Sequence, residues 1–199
     1  LDLENFFFKQ WIFVGHVSRI PTIGDYFLLN VGNESIIIIR DSNNNIHAHY
    51  NVCRHRGSQI CLKDEGNKKI LVCPYHAWTY NIDGTLKSAR LMNSDFNERD
   101  WNLHGCNIKV YQGLIFINFS KEPVSFDEFI EPNKPFIELH GLKDAKIAYR
   151  KIYPTYGNWK LTLDNFHECY HCQPSHPEYC SVHDSEYILS YGGGSGTGP

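Results

Sequence analysis

The 199-residue sequence has a single methionine, Met92, no apolar run near membrane-span length, and no Lys/Arg block longer than a pair such as Lys68-Lys69. A membrane helix needs roughly 18 consecutive apolar residues, so the second absence excludes one. The third, with a formal net charge of −3, excludes a phosphate-backbone binder, and no nucleic-acid partner is expected. The chain also lacks a basic, apolar leader: it opens Leu1-Asp2-Leu3-Glu4, which is not a secretory signal. Seven cysteines, an odd number, fit thiol or metal chemistry in a reducing cytoplasm better than a disulfide framework. Opening on Leu1 and closing on Gly192-Gly193-Gly194-Ser195-Gly196-Thr197-Gly198-Pro199, the sequence reads as incomplete at both ends.

What is present is β-rich at first. Short β-branched and aromatic runs at 11–17, 26–31, 35–40, 46–51, 69–73, 78–80, 107–111 and 114–119 predict strands of an antiparallel barrel or sandwich. Ile23-Gly24-Asp25, Asp41-Ser42-Asn43-Asn44-Asn45 and Asp83-Gly84 supply the turn chemistry between them. After Ser120 the character changes: a short helix is predicted at 126–130 between Pro123, Pro132 and Pro135, and a domain boundary is placed there. A strand is predicted over 146–153. A helix is predicted from Asn158, its N-cap, to about Cys172, with Trp159, Leu163, Phe166 and Tyr170 at spacings of three and four and Pro174 helping to stop it. The fold class is therefore α+β, an all-β domain followed by the beginning of an α+β domain.

Two clusters of metal-ligating residue types stand out. Cys53-Arg54-His55 and Cys73-Pro74-Tyr75-His76 each set a thiolate and an imidazole in one short loop, with 17 residues between His55 and Cys73. A structural zinc site uses the same donors with no redox role. A two-iron cluster uses them differently, two thiolates on one iron and two neutral imidazoles on the other, which raises its reduction potential. Gly57 and Pro74 suit loops that wrap closely round a cluster, and Trp78 can shield it from water.

The second cluster runs from His167 to Pro177. His167 with His171, four apart on a helix, can chelate one ion. Cys169 with Cys172 has the spacing of a redox pair but lacks its βα context. Cys169, Cys172 and His176 can hold zinc, and His171 with His176 is the fourth reading. The other histidines, His16, His47, His49, His104, His140 and His183, have no ligand-like spacing and take surface or core roles; His47 and His49 alternate on a predicted strand and face one side.

Cys53-Arg54-His55-Arg56-Gly57 with Cys73-Pro74-Tyr75-His76-Ala77-Trp78 resembles the Rieske cluster signature, and the likeness extends through Asp83-Gly84-Thr85-Leu86. Tyr170-His171 with His176-Pro177 resembles the catalytic iron motif of Rieske non-heme iron oxygenase α subunits. The resemblance implies a [2Fe–2S] cluster on Cys53, His55, Cys73 and His76, and mononuclear Fe(II) on His171 and His176. The family's third ligand is a downstream carboxylate, outside these 199 residues. It also implies that Glu168 bridges the two centres across a subunit interface, from His76 of one chain to His171 of the next. His167, Cys169 and Cys172 then fall outside the ligand set. On this match 1–43 form an N-terminal segment with outer strands, 44–120 the Rieske domain, and 121–199 the first part of the mononuclear iron catalytic domain, of helix-grip type and incomplete.

The activity implied is that of an oxygenase component fed by an NAD(P)H-dependent reductase or ferredoxin, acting on O2 and a small molecule as a head-to-tail homotrimer. Glu168-Cys169-Tyr170-His171-Cys172 with Ser175-His176-Pro177-Glu178 is most similar to the branch that acts on glycine betaine, choline and carnitine, which implies oxidative N-demethylation of a quaternary ammonium. Aromatic-ring dioxygenation and a non-catalytic Rieske electron carrier are the alternatives.

Overall fold

The run Ile36-Ile37-Ile38-Ile39 is fully buried along its whole length, which requires a strand covered on both faces. In the computed structural model, which describes residues 2–93, 95–168 and 170–182, this strand lies at the centre of the first of two compact units, residues 1–149 and 150–199. Cys169, His183 and the Gly-rich end lie outside the described residues.

The strands of the first unit are β1 (Ile12–His16), β2 (Asp25–Val31), β3 (Glu34–Arg40), β4 (Ile46–Tyr50), β5 (Glu65–Asn67), β6 (Leu71–Val72), β7 (Thr79–Tyr80), β8 (Leu86–Ser88), β9 (Asn107–Tyr111) and β10 (Leu114–Asn118). They form three antiparallel sheets with orders β1-β10-β9, β4-β3-β2-β5 and β6-β7-β8. Alternation along β3 explains how one strand serves two cores. Ile36 and Ile38 pack with Phe27, Ile115 and Ile117, whereas Ile37 and Ile39 pack with Cys53, Cys73, Trp78 and Tyr80. Each fully buried isoleucine contributes about 1.5–3 kcal/mol.

Two short helices follow, α1 (Phe126–Ile130) and α2 (Lys134–Leu139). Ser125 caps α1 by accepting the Glu128 N–H at 3.4 Å, and Phe126 and Ile130 pack on Trp11 and Phe116 of the sheet body. The eight strands predicted between residues 11 and 119 and the 126–130 helix have counterparts among these elements, but β5 and β8 were not predicted. The strand expected over 146–153 is not formed: those residues have no regular structure, and no described strand pairs with them to take up their N–H and C=O groups.

The second unit holds α3 (Trp159–His167), α4 (Cys172–Ser175) and α5 (Pro177–Val182). Asn158 caps α3, its side chain accepting the Lys160 N–H at 3.0 Å. The helix predicted to reach Cys172 stops at His167, because Glu168 leaves helical geometry (φ −99, ψ 107) and its carboxylate accepts the Tyr170 N–H in place of the helical ladder. Pro174 sits within the single turn of α4 rather than after a long helix; this is the first turn, where a missing N–H breaks no bond. Among the described residues no helix is long and apolar enough to cross a membrane.

Candidate metal centres

The two Cys-His loops repeat one backbone design. In the first, the Cys53 N–H donates to Ser58 O at 2.8 Å and the Gly57 N–H to Cys53 O at 3.0 Å. In the second, the Cys73 N–H donates to Trp78 O at 2.8 Å and the Ala77 N–H to Cys73 O at 3.0 Å. Both loops turn through a left-handed residue four positions after the cysteine, Gly57 at φ 75 and Ala77 at φ 58. Each loop therefore points one thiol inward and carries one imidazole beside it.

The four donors meet as two like pairs. Cys53 and Cys73, both 2% exposed, lie within hydrogen-bonding reach of each other. The His55 and His76 rings lie with centroids 4.6 Å apart. Among the described residues no three His, Cys, Asp or Glu side chains gather as a site for a single ion, whereas a bridged pair of irons takes only two protein donors on each metal. His55 Nδ1 is buried without a hydrogen-bond partner, an orphaned nitrogen that a metal bond satisfies. Burial, then His76 and Arg56, hold the His55 imidazole below its usual value, in the neutral form that ligates. The donor set fits a [2Fe–2S] cluster with its thiolate side in the core and its imidazole side outward, His76 being exposed.

Aromatic side chains fix that outward edge. Trp78, 1% exposed, stacks on His55 at 4.8 Å and 6° and is itself held edge-on by Phe96 at 5.6 Å and Trp101 at 5.5 Å. Sequence reasoning anticipated Trp78 but missed Tyr80. Its hydroxyl accepts the Arg54 N–H at 3.1 Å, which leaves its own proton for Cys53 Sγ at 3.3 Å. A hydrogen bond donated to a ligand sulfur stabilises the extra negative charge of the reduced cluster and raises its potential. Tyr80→Phe is expected to lower the potential by roughly 40 mV, the one-electron equivalent of about 1 kcal/mol. A voltammetric midpoint that does not move would rule out a role for this bond in setting the potential.

In the second unit, His171 and His176 flank the one-turn helix α4 as its two caps. The His176 N–H donates to Cys172 O at 2.8 Å, and the turn brings the two rings to a centroid separation of 5.4 Å. Both line a cavity of about 640 Å³. Glu168 falls within the predicted helix but lies beyond the end of α3, yet its Oε2 stands 3.2 Å from His171 Nδ1. That contact orients the ring and sets its tautomer. His167, at the end of α3, does not line the cavity. Cys172 is 7% exposed and does line it, and the readings that use Cys169 lie outside the described residues. The pair fits an iron that takes its remaining protein ligand from elsewhere.

Comparison with known proteins agrees with this division. The family described as "Rieske [2Fe-2S] domain" matches residues 10–112, and "Ring hydroxylating alpha subunit (catalytic domain)" matches residues 142–193. The glycine betaine monooxygenase oxygenase subunit of Pseudomonas aeruginosa is 37% identical over 179 residues, 89% of this chain and 42% of that protein. The carnitine monooxygenase oxygenase subunit of Acinetobacter pittii is 36% identical over 196 residues, 96% of this chain and 52% of that protein. The crystal structure of the quaternary ammonium Rieske monooxygenase CntA in complex with L-carnitine superposes with a TM-score of 0.83 at 34% identity, covering 92% of this chain and 53% of that one. The chain thus spans about half the length of the relatives it matches. Those matches imply a [2Fe–2S] cluster and a mononuclear iron, and the chain belongs to the Rieske [2Fe–2S] family, joining a Rieske domain to part of a ring-hydroxylating alpha-subunit catalytic domain.

Proposed function

We propose that the chain is part of the oxygenase component of a quaternary ammonium monooxygenase, with a [2Fe–2S] cluster on Cys53, His55, Cys73 and His76 and Fe(II) on His171, His176 and a carboxylate from outside this sequence. When bound, the cluster supplies single electrons from an NAD(P)H-dependent reductase and the iron supplies O2 activation. The protein's own share is positioning. Cys53 and Cys73 anchor the cluster in the core, and the exposed His76 offers the edge through which electrons leave. Glu168 holds His171 and, in a head-to-tail homotrimer, also meets His76 of the next chain, so that one carboxylate spans both centres.

With glycine betaine or carnitine, one oxygen atom enters an N-methyl group and the other leaves as water, with two electrons from the reductase and two protons. The resulting N-hydroxymethyl ammonium releases formaldehyde and a proton and leaves the tertiary amine. The observation that carries this reading is the Glu168–His171 contact at 3.2 Å on the same chain as the Cys/His pairs. The likeness to relatives named for glycine betaine and carnitine supports the substrate class.

The test uses the full-length protein with a reductase and NAD(P)H, offered glycine betaine, carnitine and a simple arene. Formaldehyde from an amine and one iron per chain beyond the cluster pair are expected. Formaldehyde from neither amine removes the substrate class, and iron confined to the cluster reduces the protein to an electron carrier.

A further inference from the structure

The cavity beside His171 and His176 has an uneven lining. Phe166 from the end of α3 and Tyr179 from α5 supply aromatic rings, Thr162 and Asn165 supply neutral dipoles, and Glu178 supplies a carboxylate. Glu178 is the only carboxylate among the described lining residues, and no Lys or Arg is among them. Glu178 follows His176 by two positions, in the first turn of α5, so the backbone that sets His176 also sets this carboxylate. It does not join the histidines in a cluster of three metal donors among the described residues.

We infer that Glu178 is the counter-ion that selects a quaternary ammonium at this cavity, with Phe166 and Tyr179 as its aromatic walls. A tetraalkylammonium has no N–H, so hydrogen bonding cannot recognise it. What distinguishes it from a neutral molecule of the same shape is a diffuse positive charge spread over methyl groups. Aromatic π-systems and a nearby carboxylate both attract that charge, and a carboxylate with no Lys or Arg among the described lining residues favours cations at the cavity's mouth. A zwitterion such as glycine betaine then enters with its methyl groups toward Glu178 and its own carboxylate away from it. The inference rests on reading His171 and His176 as the oxidation site, and adds to that reading the residue that sets charge selectivity.

Calorimetric titration of the full-length holoprotein with glycine betaine, and with tert-butylacetate in which carbon replaces the nitrogen, tests it. Wild type is expected to prefer glycine betaine. Glu178→Gln is expected to weaken glycine betaine binding about tenfold or more, to leave tert-butylacetate binding undiminished and iron content unchanged, and Glu178→Asp is expected to retain most of the preference. Equal losses for both ligands, or undiminished glycine betaine binding in Glu178→Gln, overturn the inference alone. Loss of iron in Glu178→Gln also overturns it, by making the residue a metal ligand. A fully iron-loaded wild type that binds no quaternary ammonium overturns the proposed function together with the inference.

Discussion

Cys53→Ala and Cys73→Ala are each expected to give a colourless protein without acid-labile sulfide, whereas Cys61→Ala and Cys106→Ala are expected to retain full colour and iron. Burial does not make this distinction: Cys61 is 1% exposed, as buried as Cys53 and Cys73 at 2% each. Nor does thiol acidity, since burial raises Cys53 as well and pushes Cys61 up to about 11 and Cys106 up to about 12. What separates the pairs is placement. Cys53 and Cys73 open the two matched loops and stand within hydrogen-bonding reach of each other, while Cys61 meets the Tyr26 hydroxyl and Cys106 that of Tyr50. With one thiolate gone, the iron it shares loses half of its protein donors, so the expected effect is complete loss of the cluster. Iron and sulfide analysis with visible absorbance reads the outcome. A cluster that persists in Cys53→Ala, or vanishes in a folded Cys61→Ala, would contradict the assignment.

The strands legible in the sequence are those whose local chemistry and tertiary role agree. Ile36-Ile37-Ile38-Ile39 has high β-propensity and is buried on both faces, so pattern and packing point the same way. β5, Glu65-Gly66-Asn67, has no such signal and exists because β2 offers it a partner, Tyr26 pairing with Gly66. The reverse holds for 146–153, where the residue types suit a strand but no described strand is available to complete it. The end of α3 escaped for a related reason: the apolar spacing continues to Tyr170, and only the Glu168 carboxylate, by taking the Tyr170 N–H, ends the helix early. In the candidate centres, Cys and His announce themselves by type and spacing. Tyr80 carries no comparable signal, because it reaches Cys53 across 27 positions of chain and acquires a role only once the loops are folded.

Gly84→Ala is expected to destabilise the fold far more than Gly57→Ala, although both glycines occupy the left-handed region, at φ 87 and φ 75. The backbone penalty for an L-residue there is roughly 1–2 kcal/mol, and it applies to both. The second cluster loop already carries it, with Ala77 at φ 58 in the position that Gly57 holds in the first. The surroundings differ. A Cβ on Gly57 meets nothing within 4 Å, whereas one on Gly84 would come within 2.5 Å of His49 Cε1 and 2.8 Å of its Nδ1. His49 cannot retreat easily: it is 5% exposed, its Nε2 donates to Ile82 O at 3.0 Å, and it stacks on His47 at 5.6 Å and 10°. Burial pushes its pKa down to about 4, so the ring stays neutral and packs as part of the core above the Asp83-Gly84 turn. Overpacking of this kind costs about 1–3 kcal/mol beyond the backbone penalty, giving roughly 2–5 kcal/mol for Gly84→Ala. Urea unfolding of the two variants at matched cluster content measures the difference, and a His49→Ala/Gly84→Ala pair is expected to recover part of the contact penalty by removing the ring that the new methyl group strikes. Equal midpoints for Gly84→Ala and Gly57→Ala would mean that the turn and His49 are not packed as described.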